Sequence, residues 1–295
     1  MAKRKGISIV VIIVISLSVI VTIYSLSLYM VKGIKPFSEG VGIIEVKGVI
    51  YDSGDIIKNI KDFKERKDIV AVVMRVDSPG GGVAAAQEIY EEIKKLSEEK
   101  IVVTSMGGVA ASAGYYISLG TNYIMANPGT TTGSIGVILQ GLNFSAALDS
   151  LGIKGMVIKS GKFKDTGNPF REMTDEERTY LQDYINNIFQ QFVNVGVLER
   201  KLSKDKVLEI ADGRILSGEQ ALKLKLIDEL GNMEDAIDKA AEMAGIEGEP
   251  RIIYPVKERA SLLSVLLNEM KTELVDGVVD RLMDNSFRAE YRLVY

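Results

Sequence analysis

The 295-residue sequence contains no histidine and no cysteine. Without imidazole there is no Ser-His-Asp triad and no Cys-His dyad, and a zinc site built on imidazole or thiolate is excluded as well. No disulfide holds the fold, which suits either side of a membrane and identifies neither. A hydrolase working through a covalent intermediate on this chain needs a hydroxyl or a carboxylate as nucleophile. Its base must be a lysine, a carboxylate or the chain terminus. Excess positive charge is also missing: 36 Lys and Arg against 40 Asp and Glu give a net charge of -4, which argues against a nucleic-acid partner. There is no internal repeat and no low-complexity tract. With 46% hydrophobic and 26% charged residues, the composition is that of a globular protein.

What is present begins with Lys3, Arg4 and Lys5, followed by an uncharged run dominated by Ile, Val and Leu up to Val31. At about 1.5 Å per residue, a helix over 7–31 exceeds the roughly 30 Å hydrocarbon core of a bilayer. The sequence therefore predicts a single transmembrane anchor over 7–31, with residues 1–6 in the cytoplasm and the rest of the chain outside it. A signal peptide cleaved near Ser25-Leu26-Ser27 is the competing reading, and the length of the run speaks against it. Residues 32–40, with Gly33, Pro36 and Gly40, read as a linker.

One domain follows, over 41–257. Strands are expected at 41–50, 69–76, 101–106, 123–126 and 153–159, with helices at 55–65, 84–96 and 111–119. Capping boxes mark two later helix starts, at Thr174 with Glu177 and at Ser217 with Gln220. Buried β-branched strands alternating with helices predict an α/β fold with a parallel sheet. In 258–295 apolar residues at helical spacing over 259–282 predict a helical extension, followed by a short tail.

Three segments could carry chemistry. Asp77-Ser78-Pro79-Gly80-Gly81-Gly82 follows a buried strand, and its glycines let the backbone approach a ligand. Around Ser112 small residues crowd the turn between a strand and a helix, and the serine also fits a plain N-cap. Lys159 to Phe170 holds three lysines. A lysine carried into a dry pocket loses its charge more readily and becomes a base, although most lysines are simply solvated.

Together these segments resemble the signal peptide peptidase A family of serine endopeptidases. The motifs are Arg75 to Gly82 (RVDSPGGG), Gly107 to Tyr116 (GGVAASAGYY), Thr132 to Val137 (TGSIGV) and Ser160 to Arg171 (SGKFKDTGNPFR). The resemblance implies a fold similar to the Clp protease and the crotonases, a repeated β-β-α superhelix behind the anchor. It implies Ser112 as nucleophile, Lys164 as general base and Ser134 as the serine that orients the lysine. Gly80, Gly81 and the amide of Ala113 match the oxyanion hole. Ala113 stands where the family has glycine, and Asn168 where it tends to have serine. Lys162 is the rival base.

No cofactor or metal is implied. The implied function is a membrane-anchored, extracytoplasmic endopeptidase that clears cleaved signal peptides and other apolar peptides as a homo-oligomer, a tetramer or an octamer. Its dyad would be completed within one protomer or between neighbours. A catalytically inactive membrane-anchored scaffold and a crotonase-like acyl-thioester enzyme are the alternatives. Tyr291 to Tyr295 is read first as a frayed terminus, and its apolar residues would also let it lie in the chain's own active-site groove.

Overall fold

The computed structural model describes residues 14–25, 27, 39–256 and 290–292. Helix α1 covers 14–25. Then come β1 (Gly40–Lys47), α2 (Gly54–Glu65), β2 (Ile69–Ser78), β3 (Gly80–Gly82), α3 (Val83–Ser97), β4 (Ile101–Ala111) and α4 (Ala113–Ser118). The chain continues through β5 (Tyr123–Ala126), β6 (Thr131–Gly133), α5 (Ser145–Ser150), α6 (Asp175–Arg200), α7 (Lys204–Ile210) and β7 (Ile215–Ser217). It closes with α8 (Gly218–Lys223), β8 (Glu229–Leu230), α9 (Met233–Ala244), β9 (Arg251–Ile253) and β10 (Glu290–Arg292).

One sheet runs β7-β6-β4-β2-β1-β9, with β5 and β8 branching from β4. All its pairings are parallel except β6 with β7. Period-2 alternation divides each central strand between two cores. Ile44, Val46, Val72, Met74 and Val76 pack with Phe63 of α2, Ile89 and Ile93 of α3 and Tyr115 of α4. Val41, Ile43, Ala71 and Val73 face Ala236, Ile237, Ala240 and Ala241 of α9. Both faces are covered, which is why these strands read as continuous apolar runs.

The feature that positions the site is a bulge in β4. Val76 pairs with Met106 but Ser78 pairs with Ala110, so one residue of β2 faces three of β4. The extra backbone is held by Asp77, whose Oδ1 accepts the Val109 amide at 3.0 Å. A Cβ on Gly107 would lie 2.9 Å from the Asp77 carboxyl carbon, so the bulge needs glycine there. Below the bulge β4 pairs with β5, and above it with β6. The strand expected to stop at Met106 therefore runs on to Ala111.

Two further expectations are corrected. No strand forms over 153–159; residues 149–164 are exposed throughout, with Met156 at 87% and Ile158 at 94%. A strand needs a neighbour to satisfy its amides and carbonyls, and among the described residues this stretch has none. Nor is any helix among the described residues long and apolar enough to cross a membrane. This overturns the anchor over 7–31, and with it the single-pass topology, the cytoplasmic N-terminus and the extracytoplasmic placement deduced from it. The remainder of 7–31 and the helical stripe over 259–282 lie outside the described residues.

Helix α6 ties the layers together. Phe192 meets Tyr116 of α4 edge-on at 5.0 Å, and Tyr116 meets Tyr90 of α3 at 5.3 Å. Glu199 accepts from Lys94 of α3 at 2.9 Å, and Arg200 pairs with Asp228 at 2.7 Å. Phe192→Ala is expected to cost ~3–5 kcal/mol, measured as a lower urea midpoint with an unchanged slope.

Candidate active site

Ser112 sits where β4 hands over to α4. Its backbone is at φ 52°, ψ -114°, a region that side chains other than glycine rarely occupy. Such a residue costs ~1–3 kcal/mol and persists only where its surroundings hold it. Here the Ser112 amide donates to Gly133 O at 2.9 Å and its carbonyl accepts from Tyr116 at 2.8 Å. The serine is 1% exposed, yet its Oγ has no hydrogen-bond partner. It occupies the N-cap position without capping, since its side chain accepts nothing from the first turn. The plain N-cap reading therefore fails, and an uncommitted hydroxyl remains.

Ala113 is the first residue of α4, so its amide has no partner one turn back inside the helix. Ser134 lies beside the Ser112 partner Gly133, is buried, and also has a positive φ of 49°. Its amide donates to Arg214 O at 2.8 Å. These two serines and Ala113 are thus gathered by the β4–β6 pairing.

The glycine turn forms β3. One edge is taken by Ile50, whose amide donates to Gly80 O at 2.9 Å and whose carbonyl accepts from Gly82 at 2.8 Å. The Gly80 amide donates to Ser78 Oγ at 3.2 Å. Strand alternation leaves the Gly81 amide and carbonyl on the outer edge. That edge carries β10, antiparallel, with Tyr291 opposite Gly81. The tail is thus not frayed over 290–292: it is a strand laid on the oxyanion-hole candidates. Residues 293–295 lie outside the described residues.

Lys164 is placed differently. Its amide donates to Gly161 O at 3.1 Å, its side chain is exposed, and it makes no ion pair with a described residue. The rival Lys162 pairs with Glu176 of α6, and Lys159 with Asp165. Phe163 stacks on Tyr180 of α6 at 5.0 Å. The lysine loop is therefore fastened to the first turns of α6, whereas the serine's helix packs on Phe192. Glu177 and Phe192 are about 22 Å apart along the helix at about 1.5 Å per residue. The fold does not bring Lys164 to Ser112 as a hydrogen-bonded pair within one chain. A cleft of about 460 Å³, lined by Val137, Leu142, Gly167, Arg171 and Leu181, contains neither residue.

Comparison with known proteins matches the model of Peptidase family S49 over residues 94–247 and that of Clp protease over 43–131. The chain belongs to peptidase family S49. It is similar to a putative protease of Synechocystis, 47% identical over 206 residues, covering 69% of this chain and 74% of that one. A putative signal peptide peptidase of Enterococcus faecium is 38% identical over 66% of this chain and 61% of its own length. A chloroplast serine protease of Arabidopsis thaliana is 32% identical over 80% of this chain and 35% of its own. This S49 peptidase is a serine endopeptidase. The S49 match takes in Ser112, Ser134 and Lys164, and the Clp protease match takes in Gly80–Gly82 and Ser112.

Three residues of the site were given no role by the sequence reading. Ser78 holds Gly80, Gly114 lets α4 approach the Ser78 carbonyl, where a Cβ would come within 2.8 Å, and Arg171 fastens the lysine loop. All three lie inside the quoted motifs, but composition and spacing do not show which groups they touch. At Gly81 a Cβ would lie 2.1 Å from Ile50 O, whereas at Gly82 the nearest atom is 3.7 Å away. Gly81→Ala should lower peptide hydrolysis ~10²-fold by displacing β3, while Gly82→Ala stays near wild type. Equal activities for the two would dissociate β3 from the chemistry.

Proposed function

We propose that this S49 peptidase hydrolyses extended apolar peptides, with Ser112 as nucleophile and Lys164 as general base supplied by a second copy of the chain. The reading rests on one observation. A strained, buried serine with an uncommitted hydroxyl lies in the same fold region as a glycine strand whose open edge already holds an extended segment. Strand addition recognises backbone, so it accepts many sequences. That suits signal peptides, which the name of the Enterococcus faecium relative, a putative signal peptide peptidase, carries, and other apolar peptides as well.

The neutral Lys164 amine takes the Ser112 proton, and Oγ attacks the substrate carbonyl carbon. The Ala113 amide and the Gly80–Gly81 turn stabilise the oxyanion. As the C–N bond breaks, Lys164 returns its proton to the leaving amine. Water then hydrolyses the ester, with Lys164 again as base. Ser134 orients the amine. A second copy is called for by the separation along α6 and by the exposed apolar face of the lysine segment, with Leu151, Met156 and Ile158 outward. Covering that face buries apolar surface and dries the amine together.

Ser112→Ala and Lys164→Ala should each lose roughly 10³-fold in hydrolysis of an apolar fluorogenic peptide. Mixing the two inactive variants should restore part of the activity; no recovery after subunit exchange would assign the lysine to its own chain. Activity should also fall on the acid side as the amine takes up a proton, and a profile flat to pH 4 contradicts the mechanism.

The strand Glu290–Arg292 lies where the substrate would. Deleting 290–295 should raise kcat/KM for a short peptide several-fold, chiefly through KM. An unchanged KM would remove β10 from the substrate edge.

A further inference from the structure

The segment from Lys159 to Arg171 sets a problem for its own lysine. Lys164 is followed directly by Asp165, and α6 presents Glu176 and Glu177 to the same loop. A carboxylate paired with the Lys164 amine would hold its proton and spoil it as a base. The charged groups packed about the loop are Lys159, Lys162, Asp165 and Arg171 from the segment itself, Glu172 directly after it, and Glu176, Glu177 and Arg178 from α6. The Glu172 carboxylate accepts from Ser145 Oγ at 2.7 Å, and Asp165, Glu176 and Glu177 each have a cation other than Lys164. Asp165 Oδ1 takes Lys159, and its Oδ2 takes Arg171 Nε at 2.9 Å. Glu176 takes Lys162. Glu177 takes both ends of the Arg171 fork, Nη1 at 2.8 Å and Nη2.

Arg171 is the centre of this arrangement. Besides the two carboxylates, Nη2 donates to the Asp165 carbonyl at 3.2 Å and Nη1 to the Glu172 carbonyl at 2.9 Å. Its five N–H donors are all used inside the protein, so it has none left for a substrate carboxylate. Glu177 is 3% exposed and closes the Thr174 capping box, which makes it a rigid anchor. We infer that Arg171 is a positioning residue. It bolts the loop to the first turn of α6 and holds the Asp165 carboxylate away from Lys164, leaving that amine uncommitted.

The titration of the bridge supports this. The Arg171 and Lys159 cations hold the Asp165 carboxyl well below the usual range, and Arg171 holds Glu177 down to about 2. Both carboxyls are lowered, so their ion pairs are complete above the ordinary carboxylate values near 4. They fail only as the pH falls towards 2. The acid limb of activity therefore belongs to another group.

This inference rests on Lys164 being the base, and the test separates the two. In the full chain, Arg171→Gln should release Asp165 to pair with Lys164. The acid limb of the kcat/KM profile should then move up by ~1–3 pH units, with kcat lowered more than KM is raised. Adding Asp165→Asn to Arg171→Gln should return the limb to its wild-type position. Arg171→Lys, which keeps the charge but cannot fork, should keep the limb and lose kcat only. If Lys164→Ala is inactive but Arg171→Gln leaves the limb in place, or Asp165→Asn does not restore it, Arg171 is merely structural and the inference fails. If Lys164→Ala stays active, the base assignment fails instead. Thermal midpoint and oligomeric state, measured on every variant, exclude misfolding as the cause of a lost limb.

Discussion

The Asp77 carboxylate that holds the β4 bulge is the contact on which the candidate site depends. Around this contact the strand leaves β5 below the bulge and joins β6 above it. That diversion puts Ser112 against Gly133 and forces its backbone to φ 52°. The strain of ~1–3 kcal/mol is borne by contacts on every side: the β6 pairing, the buried α4, and the approach of Gly114 to the Ser78 carbonyl.

Helix α6 divides the labour of the site. Its middle packs on the aromatic pair that steadies the serine's helix, and its first turn holds the lysine loop through Arg171 and Glu177. A helix is stiff over such a length, so the two groups are held apart as firmly as each is held in place. Within one chain the Ser112 hydroxyl and the Lys164 amine do not meet, and the apolar face of 149–164 is exposed. The strand Glu290–Arg292 covers the outer edge of β3 in the same chain.

Asp165, Glu176 and Glu177 stand about the loop that carries Lys164, and each is paired with a cation other than Lys164, with Arg171 shared between Asp165 and Glu177. An exposed ion pair contributes little to stability, and stability is not what these pairs decide. They leave Lys164 without an ion pair among the described residues.

Much of the fold was legible in the sequence. The β-branched runs at Ile69 and Ile101 became central strands, and the capping boxes at Thr174 and Ser217 start α6 and α8. The lack of histidine and cysteine left only hydroxyls, carboxylates and lysines to choose from. These are properties of residues within one or two turns of each other, or of composition, and they survive without knowledge of the fold. The dihedral of Ser112, the continuation of β4 past Gly107-Gly108, the pairing of β10 and the partners of Asp165 were decided by tertiary structure alone. The first three arise where segments tens or hundreds of residues apart meet; the partners of Asp165 lie only six residues away, but the fold of the loop decides which of the neighbouring cations reach it.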